Sequence, residues 1–313
     1  SSLIIKPILC VKNLTKRYFG RAKPAVSNIS FNVYPGEFHA FIGANGAGKT
    51  TTIKSIIGAY YNWTGSITIN GISNKLEGAK KYLGYIPENA RFPEKFSALK
   101  YLQWMMMLSG IERKTAIELA HKKLSELHML NLQHKNPNGF SSGQKKKILL
   151  AQALIHNPDI MIMDEPVANL DPEARSEFFA LLDKLKKAGK AIFVSSHVLA
   201  ELDLYFDSAT ILDGGKIIFS GTKQQLFKKI GHANYIIDTT NNPLLLAYLK
   251  KQHIKHKVET QHIIVDTANE KIIKDMQAYL VKQGVIIKTF NLNNISLEQV
   301  YQKMVIKGSV DTM

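Results

Sequence analysis

The sequence predicts an α/β fold with a parallel sheet, and three nearly continuous apolar runs indicate it. Residues 38–42 lead into a glycine-rich turn that a helical pattern follows at 51–57, and the runs 160–163 and 191–194 each end in polar residues. Such runs are typical of parallel strands that helices cover on both faces. Because open α/β sheets bind ligands at the carboxyl ends of their strands, we expect the functional site where these three runs end.

The turn after the first run carries a phosphate-binding pattern. Residues 43–50 read Gly-Ala-Asn-Gly-Ala-Gly-Lys-Thr, which fits G-x-x-x-x-G-K-[ST]. Its glycines let several backbone N–H groups converge on one anion, and the N-terminus of the following helix adds partial positive charge. Lys49 can then reach the β- and γ-phosphates of a nucleotide, and the Thr50 hydroxyl can ligate Mg²⁺. The predicted nucleotide-binding residues of this segment are Gly43, Asn45, Gly46, Ala47, Gly48, Lys49, Thr50 and Thr51.

The other two runs end in residues suited to phosphate chemistry. The run at 160–165 ends in Asp164, which we expect to hold Mg²⁺, and Glu165, which we expect to orient or deprotonate a water. The run at 191–197 ends in His197, for which we favour a γ-phosphate contact because it shares the sheet edge with the loop and the acids. Residues 140–144 read Phe-Ser-Ser-Gly-Gln before a predicted helix over 145–156, which is a good N-cap and a second anion site.

Composition narrows the class of protein. The chain has 313 residues, enough for two domains, with 45% hydrophobic and 21% charged residues, which is ordinary for a globular protein. Its one cysteine excludes an internal disulfide, and no apolar run reaches the roughly 18 to 20 residues that span a bilayer. The net charge of +16 comes from lysines spread along the whole chain without interleaved aromatics, so we expect no nucleic-acid partner.

Two aromatic and apolar features leave alternatives open. Tyr18 could stack on an adenine ring or could be half-buried packing. Residues 97–134 show helical spacing and predict a helical insert between strands, within a helical subdomain of about 97–156. Its run Trp-Met-Met-Met-Leu at 104–108 could be core packing, or it could be a contact surface for a partner because Met-rich faces adapt easily.

Residues 8–229 resemble the ATP-binding subunit of an ABC transporter. Residues 43–50 resemble the Walker A loop, 160–165 the Walker B strand with its catalytic Glu165, 140–144 the signature motif and 169–171 the D-loop. By the same resemblance Tyr18 is the adenine-stacking aromatic, His197 the switch histidine, and Glu88 stands where the family usually has the Q-loop glutamine. Ser141, Gly143, Gln144 and Asp171 are then further nucleotide-binding residues.

The sequence departs from the family pattern at two motifs. In the signature, Phe140 replaces the usual Leu and Ser142 the first Gly, but Ser141 and Gly143 are kept, so we expect a working site. Glu88 replaces glutamine, and a carboxylate can ligate Mg²⁺ but cannot donate a hydrogen bond. This affects the detail of coupling rather than the family.

The resemblance implies a mechanism and partners. Two ATP-binding chains, a homodimer or a related heterodimer, meet head to tail, so that Ser141 and Gly143 of one close over the ATP and Mg²⁺ of the other. A polytopic membrane subunit on a separate chain docks on the helical insert, at the cytoplasmic face of the cell membrane. The alternatives are a soluble ABC ATPase acting on ribosomes or DNA, which usually has two cassettes or a long coiled coil, and a nucleotide-gated regulatory module with little turnover.

The domain division is predicted between residues 230 and 231. Residues 1–230 form the ATP-binding domain, with an antiparallel β subdomain beside the helical one. Residues 231–313 show the order βαββαβ, which predicts a small α+β, ferredoxin-like domain with a regulatory or accessory role. The segment 296–301 resembles the Ser-Leu-Glu-x-x-Phe ending of drug, lipid and sodium exporter ATPases, which favours export. The alternative is that this segment packs onto the cassette as part of one core.

Overall fold

The chain forms two compact units in a computed structural model that describes residues 3–230, 234–267, 269–293 and 295–310. The first unit is Ser1–Lys223 and the second is Gln224–Met313. The division falls at the start of the helix Lys223–Ile230, whereas the predicted boundary follows that helix and adjoins residues 231–233, which lie outside the described residues. The domain boundary therefore stays a prediction.

The first unit alternates strands and helices after an N-terminal pair of strands. Its strands are β1 (Leu9–Lys16), β2 (Val26–Val33), β3 (Phe38–Ile42), β4 (Thr64–Ile69), β5 (Ile72–Ser73), β6 (Leu83–Ile86), β7 (Ile160–Asp164), β8 (Ala191–Ser196), β9 (Ser208–Asp213) and β10 (Lys216–Thr222). Its helices are α1 (Lys49–Ile56), α2 (Ala98–Leu108), α3 (Arg113–Glu126), α4 (Ser142–Ala153), α5 (Pro172–Lys187) and α6 (Leu199–Leu202), and α7 (Lys223–Ile230) begins at the division.

A six-stranded sheet forms the centre of this unit. Its strand order is β10-β9-β3-β8-β7-β6, in which all neighbours are parallel except the edge pair β10 and β9. Every residue of β3, β7 and β8 is buried, which explains the three apolar runs in the sequence. A second, antiparallel sheet with the order β2-β1-β4-β5 packs apolar side chains against the first, with the Phe31 and Phe41 ring centroids 5.3 Å apart. The unit is therefore an α/β domain with an antiparallel β subdomain.

The helical region between β6 and β7 shows how residues 104–108 divide between core and surface. Helix α2 begins after Ser97, whose side chain accepts from the Lys100 N–H and so caps the helix. Met106 is only 4% exposed, whereas Met107 is 43% exposed. The apolar run is thus core on one face of α2 and exposed on the other, so the core reading holds for part of it and the contact surface for a partner stays a prediction.

The second unit is a four-stranded antiparallel sheet with helices. Its elements are β11 (Asn234–Thr239), α8 (Asn242–Lys251), β12 (His256–Glu259), β13 (His262–Asp266), α9 (Glu270–Lys282), β14 (Ile287–Asn293) and α10 (Leu297–Val310). The strand order is β12-β13-β11-β14, and all neighbours are antiparallel. Apolar residues of β11, β13, α8 and α9 form a core of their own. This is the α+β region that the order βαββαβ predicted.

No helix within the described residues of either unit is both long and apolar enough to cross a lipid bilayer.

Candidate active site

The three predicted strand ends meet at one edge of the central sheet. In the parallel pairs, Ile42 at the end of β3 lies opposite Ser196 of β8, and Asp164 at the end of β7 lies opposite Ser195. A cleft of about 710 Å³ opens at this edge. Its lining residues are Tyr18, Arg21, Lys23, Ala25, Ala44, Asn45, Gly46, Gly48, Lys49, Thr50, Thr51, Glu88, Glu165 and His197. The loop, one of the two acids and the histidine therefore line one cleft.

The backbone of the loop at 43–50 requires glycine before α1. Gly48 has φ 109°, and a Cβ there would lie 2.6 Å from Val26 Cγ1 and 2.9 Å from the Ala25 carbonyl oxygen. Because this N-cap has no side chain, the first N–H groups of α1 are left for another acceptor, which favours an anion. Gly43 and Ala47 belong to the loop but do not line the cleft, and Ala47 is buried.

The Lys49 side chain folds back onto the start of the loop at 43–50. Its ammonium donates to the carbonyl oxygen of Gly43 and, at 3.3 Å, to that of Ala44, and it lies 3.6 Å from Glu165 Oε1. Burial lowers the pKa of Lys49, while the neighbouring Glu165 carboxylate acts in the opposite direction. A buried ammonium held by carbonyl oxygens and one carboxylate is placed to accept a phosphate as partner.

Thr50 and Asp164 present oxygen atoms of the type that Mg²⁺ prefers. The Thr50 hydroxyl donates to Asp164 Oδ2 over 3.3 Å, and Asp164 is buried. Across the part of the chain that the structure describes, no group of three or more His, Cys, Asp and Glu side chains could hold a metal by itself. Magnesium usually binds one or two carboxylates together with waters and substrate phosphates, so this pair fits the ion.

Glu165 and His197 both line the cleft and contact each other. His197 Nδ1 lies 3.0 Å from Glu165 Oε1, and the imidazole is half exposed whereas the carboxylate is buried. Glu165 has φ 46°, in the left-handed region that residues with a side chain rarely adopt. The carboxylate is thus held between Lys49 and His197, where it can accept a proton from a water in the cleft.

Tyr18 forms one wall of the cleft. Its hydroxyl lies 2.7 Å from Thr51 Oγ1, and its ring meets the Tyr60 ring edge-on with centroids 5.9 Å apart. Burial raises the pKa of Tyr18, so the hydroxyl stays protonated at neutral pH. The ring therefore combines local packing with a position at the nucleotide cleft.

Several predicted residues lie away from the cleft. The Ser141 hydroxyl accepts from the Gln144 N–H and the Gln144 side chain accepts from the Ser141 N–H, which forms a capping box at the start of α4. Asp171 caps α5 by accepting from the Ala174 N–H at 2.8 Å. Ser141, Gly143, Gln144 and Asp171 do not line the cleft of this chain.

Four residues at the site escaped the sequence analysis. The Ser195 hydroxyl donates to the Asp164 carboxylate and accepts from the Glu165 backbone N–H. Arg21 and Lys23 line the cleft. Lys146 of α4 donates to the carbonyl oxygens of Pro87 and Glu88 at 2.8 and 2.5 Å. Burial lowers the pKa of Lys146 to about 8. For Ser195 the available sequence signal was a polar residue within an apolar strand. No sequence signal distinguished Arg21, Lys23 and Lys146 from the other lysines and arginines of the chain.

Comparisons with known proteins agree with this geometry. The ABC transporter family matches residues 26–168. A putative ABC transporter ATP-binding protein of Mycoplasma pneumoniae is 40% identical over 98% of this chain and 95% of its own length. The linearmycin resistance ATP-binding protein LnrL of Bacillus subtilis is 27% identical over 94% of this chain and 97% of its own.

Solved structures match about 70% of the chain. The structure of an ATP-binding subunit of an ABC transporter has a TM-score of 0.63 at 32% identity, over 71% of this chain and 92% of that chain. A dimeric ATP-binding cassette bound to ADP and Pi in a post-hydrolysis state has a TM-score of 0.61 at 24% identity, over 68% of this chain and 98% of that chain, and it supports the fold alone.

The cleft and the fold define a nucleotide-binding ATPase domain of the P-loop class. With these relatives, the chain belongs to the ABC transporter family as an ATP-binding subunit that hydrolyses ATP to energise transport.

Proposed function

We propose that this chain powers export of a substrate through a separate polytopic membrane subunit, from the cytoplasmic face of the cell membrane. The observation that carries the proposal is the convergence of Lys49, Thr50 with Asp164, and Glu165 with His197 at one sheet edge. The ending at 296–301 favours export, as does the name of LnrL, a resistance protein. Relatives matched along nearly their whole length are named as transporter ATP-binding proteins, which argues against a ribosome- or DNA-associated ATPase.

Most of the polar residues at the cleft then have a role. The loop N–H groups and Lys49 bind the phosphates of ATP, Thr51 extends that set, and Tyr18 stacks on adenine. Thr50 and Asp164 would hold Mg²⁺, which would neutralise charge on the phosphates, and Glu88, which lines the cleft, would add a carboxylate oxygen. Glu165 takes a proton from the attacking water, and His197 fixes the Glu165 carboxylate through their 3.0 Å contact and reaches the γ-phosphate.

A second ATP-binding chain, identical or related, completes the site. Ser141, Gly143, Gln144 and Asp171 lie away from the cleft of their own chain, and Ser141 is exposed. In a head-to-tail dimer the Ser141 hydroxyl and the Gly143 N–H of one chain approach the phosphates bound by the other. The capping box that fixes Ser141 at the start of α4 presents this helix N-terminus to an anion.

The membrane subunit docks on the helical region. A groove of about 440 Å³ runs beside α2 and α4 and includes Arg91, Met105 and Leu149, while Trp104 and Met107 are exposed on α2. Pro87 lines this groove and the next residue, Glu88, lines the nucleotide cleft. A shift of the docked subunit can therefore reach the cleft through two consecutive residues.

The second unit is a ferredoxin-like domain with a regulatory or dimer-stabilising role. The strand order β12-β13-β11-β14 with the connection βαββαβ is the ferredoxin-like arrangement. All the residues assigned above to phosphate, Mg²⁺ or water belong to the first unit.

The experiment that tests the proposal is the substitution Glu165→Gln in the full chain. The amide cannot accept the proton of the water, so turnover should fall at least about a hundredfold while ATP still binds. The unhydrolysed ATP should hold two chains together, which light scattering detects as a dimer. Glu173→Gln, at an exposed carboxylate in the first turn of α5, is the matched control and should hydrolyse ATP at the unchanged rate. Unchanged turnover in Glu165→Gln would contradict the role of Glu165, and a monomer at saturating ATP would leave only a related heterodimer.

A further inference from the structure

Ser195, the next-to-last residue of β8, makes hydrogen bonds that the proposed roles do not use. Ser195 is fully buried, and the parallel register places it directly beside Asp164 of β7. The residues before it in the strand, Ala191–Val194 in sequence, are apolar and equally buried. A hydroxyl at this position therefore needs polar partners, because burying it without them costs about 1 to 3 kcal/mol.

Its two partners are the two acids of the site. The Ser195 hydroxyl donates to Asp164 Oδ1 at 2.8 Å and accepts from the Glu165 backbone N–H at 3.0 Å. A carboxylate can only accept and a backbone N–H can only donate, so the single hydroxyl proton has one possible orientation. Ser195 thereby occupies Oδ1 of Asp164 and leaves Oδ2 facing Thr50.

The second hydrogen bond acts on a strained residue. The left-handed φ of 46° at Glu165 costs a residue with a side chain roughly 1 to 2 kcal/mol. This conformation turns the chain sharply after Asp164, and the Glu165 carboxylate lies 3.6 Å from Lys49 Nζ and 3.0 Å from His197 Nδ1. The bond to Ser195 holds the N–H of that turn.

We propose that Ser195 is a positioning residue for hydrolysis, whose hydroxyl orients the Asp164 carboxylate toward the cation and holds the backbone turn that aims Glu165 at the water. The inference rests on the proposed roles of Asp164 and Glu165. Without the hydroxyl, a carboxylate oxygen and an N–H lose their partner, and both acids gain freedom. A misplacement of about 1 Å at a catalytic group can reduce a rate about a hundredfold.

The test compares Ser195→Ala, Ser195→Thr and Ser196→Ala in the full chain. Ser196 is the matched control because it is equally buried on the same strand, but its hydroxyl bonds the N–H and the carbonyl oxygen of Val198 instead of the acids. Ser195→Ala should lower kcat about ten- to a hundredfold, with the KM for ATP changed less than about threefold. Ser195→Thr, which keeps the hydroxyl, should stay within about threefold of the wild-type kcat, as should Ser196→Ala.

A binding measurement separates this role from general folding. Titration with a fluorescent ATP analogue in EDTA should give Ser195→Ala the wild-type affinity, which shows that the variant is folded. Added Mg²⁺ should tighten binding less in Ser195→Ala than in the wild type, and more Mg²⁺ should be needed for half-maximal hydrolysis. A wild-type kcat and Mg²⁺ dependence in Ser195→Ala, or an equal loss in Ser196→Ala, would overturn the inference.

The outcome also distinguishes this inference from the proposed function. If wild type and Glu165→Gln hydrolyse ATP at the same rate, the assignment of Glu165 fails. The Mg²⁺-dependent binding of Ser195→Ala then still decides whether Ser195 orients Asp164, because that measurement needs no turnover.

Discussion

At the scale of single residues, His39 of β3 shows how a buried polar side chain is hydrogen-bonded in the core of the first unit. Its ring packs nearly parallel to the rings of Phe31 and Phe193 in the core, with centroids 6.0 and 5.7 Å away. Its two nitrogens lie 2.7 Å from Ser208 Oγ and 2.8 Å from Thr210 Oγ1. Because Ser208 donates to Glu37 Oε2, its oxygen accepts from His39 Nδ1–H, and Nε2 is left to accept from the Thr210 hydroxyl. The network therefore selects the neutral Nδ1–H tautomer.

The burial of His39 predicts a loss of stability in acid. Burial lowers its pKa from 6.5 to about 3, so below pH 6.5 the unfolded chain binds a proton that the folded chain does not. The contribution of His39 to the free energy of unfolding should fall with pH below 6.5, with a slope that approaches about 1.4 kcal/mol per pH unit, down to about pH 3. Urea unfolding at several pH values measures this slope, which His39→Gln should reduce and His121→Asn, at an exposed position of α3, should leave unchanged. An equal slope in wild type and His39→Gln would contradict the assignment.

At the scale of elements, helix α2 buries one of two consecutive methionines and exposes the other. Met106 and Met107 are consecutive, but 3.6 residues per turn place them on different faces, so one is 4% and the other 43% exposed. Met106 packs into the core of the first unit, and Met107 lies on the same outer side as Trp104, one turn away. Stability and the proposed partner binding can therefore be tested separately on this helix.

Matched alanine substitutions on α2 test that separation. Met106→Ala should lower the free energy of unfolding by about 2 to 4 kcal/mol, because it leaves a cavity, while Met107→Ala should change it by less than about 0.5 kcal/mol. Met107→Ala combined with Trp104→Ala should instead weaken the complex with the membrane subunit. Urea unfolding and co-purification from membranes measure the two effects. Equal destabilisation by both single substitutions would show that the whole run is core.

At the scale of the whole molecule, the chemistry and the second core belong to different units. The residues proposed to bind and hydrolyse ATP lie within Ser1–Lys223, and apolar side chains of β11, β13, α8 and α9 fill a separate core. Roughly 80 to 90 residues suffice for a small independent core. This separation agrees with the proposed regulatory role of the second unit, outside the chemical step.

Truncation after residue 230 tests the independence of the first unit. The fragment 1–230 keeps α7 and should remain folded with an ATP affinity within about threefold of the full chain, because none of the cleft residues is lost. A change in its hydrolysis rate or in its coupling to the membrane subunit would measure the regulation that the second unit exerts. Nucleotide titration and thermal unfolding measure the result. An aggregated fragment that binds no nucleotide would show one shared core instead.

Much of the fold followed from the sequence because its signals are local. The apolar runs predicted β3, β7 and β8 to within two residues at their ends. Helix α7 was missed because its eight residues carry few apolar positions and follow a strand without a glycine or proline between them. The boundaries of α4 were also misplaced, since its first turn is set by the capping box and not by hydrophobic spacing.

The sequence by itself determined the phosphate loop, the two acids and the histidine, because each is a contiguous pattern at the end of a strand or the start of a helix. Only the tertiary structure decided which of them touch. The strand order β3-β8-β7 places β8 between the loop and the acids, and the parallel register then sets Ser195 beside Asp164. Register and strand order depend on packing between distant segments. The sequence therefore shows a polar residue within the apolar strand β8, but it does not show that this residue pairs with Asp164.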